Sequence, residues 1–207
     1  VSKMRASIYV LGPLLARLKE AKVSFPGGCA IGTRPIDLHL QAMEALGAHI
    51  SVDFGYINAR TDALQGNDIY FSKSSVGATI NALMAAVLAK GKTRIFNAAM
   101  EPEVDSTVDL LNKMGAKITG RETTTLEIEG VAELFPVEMT IIPDRIEAGT
   151  FLIAGALSNN PVTVANCEPA HLSAVLKKLR EAGCEMEMED KAITVIPPAS
   201  IKPVNLM

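Results

Sequence analysis

The segments RPIDLHLQAMEALGAHI (34–50), EPEVDSTVDLLNKMGAKI (101–118) and EPAHLSAVLKKLREAGCEM (168–186) are three versions of one pattern: proline, an amphipathic run, and a glycine-small-x-apolar close. The prolines stand at 35, 102 and 169 and the closing glycines at 47, 115 and 183, a period of 67 or 68 residues. A repeat of that length means one supersecondary unit used again and again, with copies that bury their apolar faces against shared elements.

Within each copy, proline in the first turn, apolar residues at helical spacing (Leu38, Ala42, Ala45, Leu46; Val104, Val108, Leu111; Leu172, Val175, Leu179) and glycine just past the end predict a capped helix of about three turns. A hairpin follows each: 49–52 with 56–59, 117–119 with 125–129, and 185–188 with 192–196, around turn residues such as Gly55 and Asp190. Upstream lies a second, more apolar helix, at 14–20, 78–89 and 148–157, bracketed by strands such as 69–71 with 94–97 and 140–142 with 162–165. The unit is β-α-β-α-β-β and the fold class α/β, with repeated units packed so that helices lie inside and sheets outside. The strongly apolar helix TINALMAAVLA (79–89) is expected to be an inner one, and the helix carrying KKLRE (177–181) only partly covered.

Charge and cysteine usage exclude several functions. With 20 basic and 23 acidic residues the net charge is -3, so there is no excess of cations to neutralise a nucleic-acid backbone. The longest uncharged apolar run, 82–89, is far below the roughly 18 to 20 residues that a membrane span requires. Lys3 and Arg5 before the apolar stretch 8–16 weakly imitate a secretory signal, but Pro13 breaks it and Arg17 ends it. A cytoplasmic location is expected. Cys29, Cys167 and Cys184 are odd in number, have no C-x-x-C spacing and have only three histidines to join them, which argues against a disulfide scaffold or structural zinc.

The local feature richest in chemistry is FPGGCAIGTRP at 25–35. Three glycines between two prolines make an irregular loop just before a helix start. There Arg34 and the free amides of the helix N-terminus can meet one anion, a phosphate or a carboxylate. Cys29 at the loop apex is either a ligand-facing thiol or a small packed hydrophobe. Cys167 and Cys184 read as structural, the latter filling the slot that Ala48 and Ala116 occupy in the sister units. A second loop, KSSVGAT at 73–79, offers Lys73, small hydroxyls and a helix N-terminus, and its Ser and Thr are equally at home as helix caps. Arg5 occupies the matching junction of the first unit, and Asp144 with Arg145 that of the third. Asp37 either serves the helix dipole or accepts from a ligand. His39 is a surface or buried hydrogen-bonding residue, with an active-site neighbour as the alternative, and His171 is expected in solvent.

The motifs KMRASI (3–8), PGGCAIGTRPIDLH (26–39), SVGAT (75–79), NAAMEPEVDSTVDLL (97–111) and PDRIEAGTF (143–151) together resemble the UDP-N-acetylglucosamine 1-carboxyvinyltransferases, a family of enolpyruvyl transferases. The resemblance covers nearly the whole chain. It implies an inside-out barrel of these repeats. It also implies transfer of the enolpyruvyl group of phosphoenolpyruvate to the 3-hydroxyl of UDP-N-acetylglucosamine, opening peptidoglycan synthesis, with neither metal nor organic cofactor. By the same resemblance Cys29 is the proton donor to the phosphoenolpyruvate methylene and the residue attacked by the epoxide fosfomycin. Arg34 clamps the phosphoenolpyruvate anion. Arg5, Arg34, Pro35, Ile36, Asp37, Leu38, Lys73, Ser75 and Val76 contact the UDP-sugar. No nucleic-acid or membrane partner is implied.

Members of the family begin well before KMRASI and continue past VNLM, so the chain reads as an internal piece. Residues 1–140 are expected to hold two repeat units of the Cys-loop domain and 141–207 one unit of the second domain, with further catalytic groups elsewhere and no turnover by the piece alone. Two other readings stay open: a non-catalytic UDP-sugar-binding paralogue or scaffold of the same fold, and a transferase for a different acceptor.

Overall fold

The computed structural model describes residues 4–27 and 35–205. It divides into two compact units, 1–139 and 140–207, each with its own apolar core.

In the first unit a 3-10 helix (Arg5–Val10) runs into α1 (Leu11–Leu18), followed by β1 (Glu20–Ser24), α2 (Asp37–Ala45), β2 (His49–Asp53) and β3 (Tyr56–Arg60). Next come β4 (Asp68–Tyr70), α3 (Val76–Ala86), β5 (Lys92–Phe96), α4 (Pro102–Lys113), β6 (Lys117–Thr119) and β7 (Thr125–Glu129). The strand order is β1-β3-β2 in one sheet and β4-β5-β7-β6 in the other. β4 and β5 are parallel, joined by the α3 crossover, and the remaining pairs are antiparallel. The second unit comprises α5 (Arg145–Ala156), β8 (Val162–Ala165), a 3-10 turn (Pro169–Leu172), α6 (Ser173–Glu181), β9 (Glu185–Met188) and β10 (Ala192–Ile196), in the sheet order β8-β10-β9.

The repeat is therefore real in three dimensions. The middle copy shows it whole, and the order of its last three strands recurs in both flanking copies. The closing glycines Gly47, Gly115 and Gly183 all have positive φ (+89°, +102° and +100°), the left-handed step that ends a helix and turns the chain toward its hairpin. α3 is the inner helix that its composition demands. Ala78, Ala82, Leu83, Ala85 and Ala86 are buried, and α1, α2 and α4 all pack on it. α6 buries only Leu176 and Leu179 and turns its charged stripe outward. α5 covers β8 and β10 with Ala148, Leu152 and Ala156, so closely that a Cβ on Gly155 would lie 2.5 Å from Val195 Cγ1. Its other face leaves Ile146, Phe151, Ile153 and Leu157 exposed, so in the third repeat only one side of the apolar helix is inside.

Three expectations need correction. The helix placed at 14–20 begins earlier, at Leu11, because Pro13 falls in the first turn, where no N–H is required. It ends at Lys19, whose left-handed φ of 64° releases Glu20 into β1. The segment 140–142 joins no sheet among the described residues. It runs into Pro143, which has no N–H to give a ladder, and Ile141 is 76% exposed, so β propensity alone did not secure a partner strand. His171 is half-buried in the 3-10 turn that precedes α6, and its Nδ1 is buried without a partner among the described residues.

No helix among the described residues is long and apolar enough to cross a membrane.

Candidate functional site

The second repeat's sheet carries a concavity of about 690 Å³, lined by residues of β4 to β7 with Asn112 and Ala116. Its charges answer one another: Arg94 grips Asp68 through two hydrogen bonds of 2.9 and 2.6 Å, and Lys117 pairs with Glu129 at 2.8 Å. Arg94 also lies over Phe96, which stacks on Tyr70. That is the polar outer face of a sheet, with Arg94 and Lys117 already paired.

A second cavity, about 590 Å³, has a different character. It forms where three junctions meet: the 3-10 helix bearing Arg5, Ile8 and Tyr9, the entry to α2 with Pro35, Asp37, Leu38 and His39, and the entry to α3 with Lys73 to Gly77. Glu103 of α4 closes it. The repeat explains part of the convergence, because α1 and α3 are the inner helices of its first two copies and pack on each other, while α2 packs on α3 beside them. Two helix N-termini, those of α2 and α3, thus open onto one cavity with Arg5 and Lys73 in its wall. In the lining Asp37 and Glu103 offset the two cations in formal charge, so the partial positive charge of the helix ends is what tips the cavity toward an anionic ligand.

Arg5, Pro35, Asp37, Leu38, Lys73, Ser75 and Val76, read from separate parts of the sequence, all line this cavity. The Arg5 guanidinium donates to the Pro35 carbonyl at 3.0 Å, tying the chain start to the approach of α2. Ser75 caps α3, its hydroxyl accepting from the Ala78 N–H at 3.3 Å, which is the structural use its position allowed. Lys73 and Asp37 are exposed. Ile36 lies elsewhere: its side chain is in the apolar core, and the residue stands at the N-cap position of α2. Cys29 and Arg34 lie outside the described residues. Asp144 caps α5, accepting from the Ile146 and Glu147 amides at 2.8 and 3.0 Å.

Sequence reasoning undervalued His39 and missed Asn81. His39 is buried against the cavity wall, edge-on to Tyr9 with ring centroids 6.2 Å apart. Burial and the nearby Arg5 cation lower its pKa from the usual 6.5 to about 4, with Asp37 opposing weakly, so the ring is neutral at physiological pH. Asn81, in the middle of α3, hydrogen-bonds to it. The available signal was an amide in an otherwise apolar helix. Cys167 and Cys184 are buried, and burial pushes both thiols up, in keeping with structural roles. Among the described residues no group of three His, Cys, Asp or Glu side chains could hold a metal ion.

A family model for EPSP synthase (3-phosphoshikimate 1-carboxyvinyltransferase) matches residues 1–207. Proteins named UDP-N-acetylglucosamine 1-carboxyvinyltransferase from Chlorobium limicola and Desulfosudis oleivorans are 57% and 54% identical over all of this chain, which corresponds to 49% of each relative. The chain thus spans about half the length of the curated relatives it matches. Among solved structures, the enolpyruvyl transferase NikO from Streptomyces tendae superposes with a TM-score of 0.78 at 22% identity, over 95% of this chain and 48% of that one. An EPSP synthase from Acinetobacter baumannii gives 0.64 at 18% identity, over 93% and 46%. At such identities the two structures speak for the fold alone.

Proposed function

We propose, because the chain belongs to the EPSP synthase family, that the cavity between the starts of α2 and α3 is the sugar-nucleotide side of an enolpyruvyl transfer site. The reaction of the whole protein is then transfer of the enolpyruvyl group from phosphoenolpyruvate to the 3-hydroxyl of UDP-N-acetylglucosamine, with release of phosphate, at the entry to peptidoglycan synthesis. The family model is described by a shikimate enzyme, whereas the curated relatives at 54–57% identity act, by their names, on a UDP-sugar. The higher identity favours the UDP-sugar as acceptor.

The observation that carries this reading is the meeting of Arg5 and Lys73 with two helix N-termini in one cavity. A diphosphate is held by cations and helix-terminal N–H donors, and this lining holds Arg5, Lys73 and two helix starts beside Asp37 and Glu103. In the chemistry, Cys29 gives a proton to the methylene carbon of phosphoenolpyruvate while the sugar oxygen bonds to the adjacent carbon and loses its own proton. The tetrahedral adduct then expels phosphate as the methyl carbon loses a proton, which restores the double bond. A thiol with an ordinary pKa is protonated at neutral pH and suits the acid step. Arg34 holds the phosphoenolpyruvate anion, and Pro35, Asp37, Leu38, Ser75 and Val76 complete the sugar-nucleotide contacts, to which Ile36, its side chain in the core, can add only its backbone. Residues 1–140 would be two repeat units of the Cys-loop domain and 141–207 one unit of the other.

Calorimetric titration of the chain with UDP-N-acetylglucosamine tests the reading. Binding is expected, weakened roughly ten- to hundredfold by Arg5→Ala or Lys73→Ala, the range for loss of one charge-assisted contact. Binding of shikimate 3-phosphate in its place, or UDP-sugar binding indifferent to both substitutions, would overturn it.

A further inference from the structure

Asn81 is fully buried at the centre of α3, and each polar atom of its side chain is committed. Its Oδ1 accepts the backbone N–H of Gly12 at 2.8 Å, and its Nδ2 donates to the backbone carbonyl of Ile8 at 3.1 Å. The same Nδ2 stands 3.2 Å from Nδ1 of His39. The first two partners have no freedom of role, since a backbone N–H only donates and a carbonyl only accepts. Turning the amide over would face donor with donor and acceptor with acceptor, leaving buried groups unpaired. The second Nδ2 hydrogen is therefore directed at His39 Nδ1, which has to be the unprotonated nitrogen. In a neutral ring the proton then sits on Nε2.

That nitrogen lies toward Gly77 and Tyr9, two residues of the cavity lining. A Cβ on Gly77 would lie 3.1 Å from His39 Nε2 and 3.2 Å from the Tyr9 hydroxyl, and Gly77, Tyr9 and His39 all line the cavity. The edge-on Tyr9 ring, at 86° to the imidazole, restrains its plane. We infer that Asn81 is a positioning residue: held by Gly12 and Ile8, it fixes His39 as the Nε2–H tautomer, so that the cavity receives an uncharged hydrogen-bond donor beside Arg5 and Lys73. Such a donor adds direction toward a ligand oxygen without adding a third cation. The arrangement also explains why α3, apolar on nearly all sides, keeps an amide at its most buried point, where an unpaired polar group would be costly.

The tautomer stands on this geometry alone, and only its use by a sugar-nucleotide ligand rests on the proposed function. The test is a long-range ¹H–¹⁵N correlation spectrum of the full chain with ¹⁵N-labelled histidine at neutral pH, with His39 assigned by its loss in His39→Gln. The expected pattern is a pyridine-type Nδ1 and a pyrrole-type Nε2. Asn81→Asp replaces the donor by an acceptor and is expected to move the proton to Nδ1 or to produce the imidazolium. Asn81→Ala is expected to give a mixture of tautomers. UDP-N-acetylglucosamine should shift the Nε2 resonance of the unaltered chain and bind roughly tenfold more weakly to Asn81→Asp, as the loss of one buried hydrogen bond predicts.

A protonated Nδ1 in the unaltered chain overturns the inference, with no need for any variant to fold. So does an unchanged pattern in a folded Asn81→Ala. Failure of the ligand to bind at all, with the Nε2–H pattern present, would instead remove the proposed function and leave the tautomer assignment standing.

Discussion

The backbone N–H of Gly12 meets the side-chain oxygen of Asn81 at 2.8 Å, and a Cβ built on Gly12 would stand 2.5 Å from both that oxygen and the Asn81 carbonyl. α1 and α3 therefore approach so closely at this point that any side chain at position 12 would collide with Asn81. The contact joins the inner helices of two successive repeats and orients the amide that faces His39.

Gly12→Ala is accordingly expected to destabilise the first unit by about 2 kcal/mol or more, since one atom in the way is a backbone carbonyl that cannot swing aside and the other is the Asn81 side-chain oxygen held by the Gly12 N–H itself. Urea unfolding followed by circular dichroism measures this. A midpoint within error of the unaltered chain would show that the helices separate without cost.

The neutral His39 predicts a definite acid dependence. Its folded-state pKa of about 4 lies below the ordinary 6.5, so as pH falls through 6.5 the unfolded chain takes up a proton that the folded one refuses. Stability is then lost between 6.5 and 4 and is unaffected above that window, with a total of roughly 3 kcal/mol. His39→Gln should remove this share of the acid loss. Surface carboxylates held low by cations, the partly covered Asp68 and the exposed Glu129 and Glu181, contribute equally to both proteins and cancel in the difference. Parallel stability-versus-pH curves for the two proteins would contradict the assignment.

Asp144 accepts from two amides at the start of α5. Asp144→Ala should cost the second unit about 1 kcal/mol, and Asp144→Ser should recover most of it. Amide exchange at Ile146 and Glu147 reads the effect locally. Equal exchange in all three proteins would mean that the cap is not holding the helix.

The two buried thiols set up a chemical contrast. Cys167 and Cys184 are 2% and 5% exposed, and burial raises both pKa values, so little thiolate is available to an electrophile. Fosfomycin treatment of the native protein, read by peptide mass spectrometry, should leave both unmodified and place the adduct on Cys29. An adduct on Cys167 or Cys184 would remove Cys29 from the proposed acid role.

Much of this architecture was legible beforehand because it is encoded locally and repeated. Proline, amphipathic run and closing glycine define each helix three times over, so Gly47, Gly115 and Gly183 could be assigned as helix ends from spacing alone. The hairpins followed from alternation, and the inner place of α3 from its composition. Where the repeat weakens, the reading did too. The strand expected at 140–142 needed a ladder partner that no local pattern guarantees, and the start of α1 depended on a proline that first turns accept.

The amino-acid order by itself determined the repeated α-β-α-β-β pattern, whose leading strand only the middle copy forms among the described residues, its helix ends and the junction residues Arg5, Asp37, Lys73 and Ser75, because each rests on backbone preferences acting over a few positions. Only the tertiary structure decided that the junctions share one cavity, that His39 is buried and neutral, and that Asn81 reaches Ile8, Gly12 and His39 together. Those facts depend on helices distant in sequence coming into contact, and burial and hydrogen-bond direction exist only once they have packed.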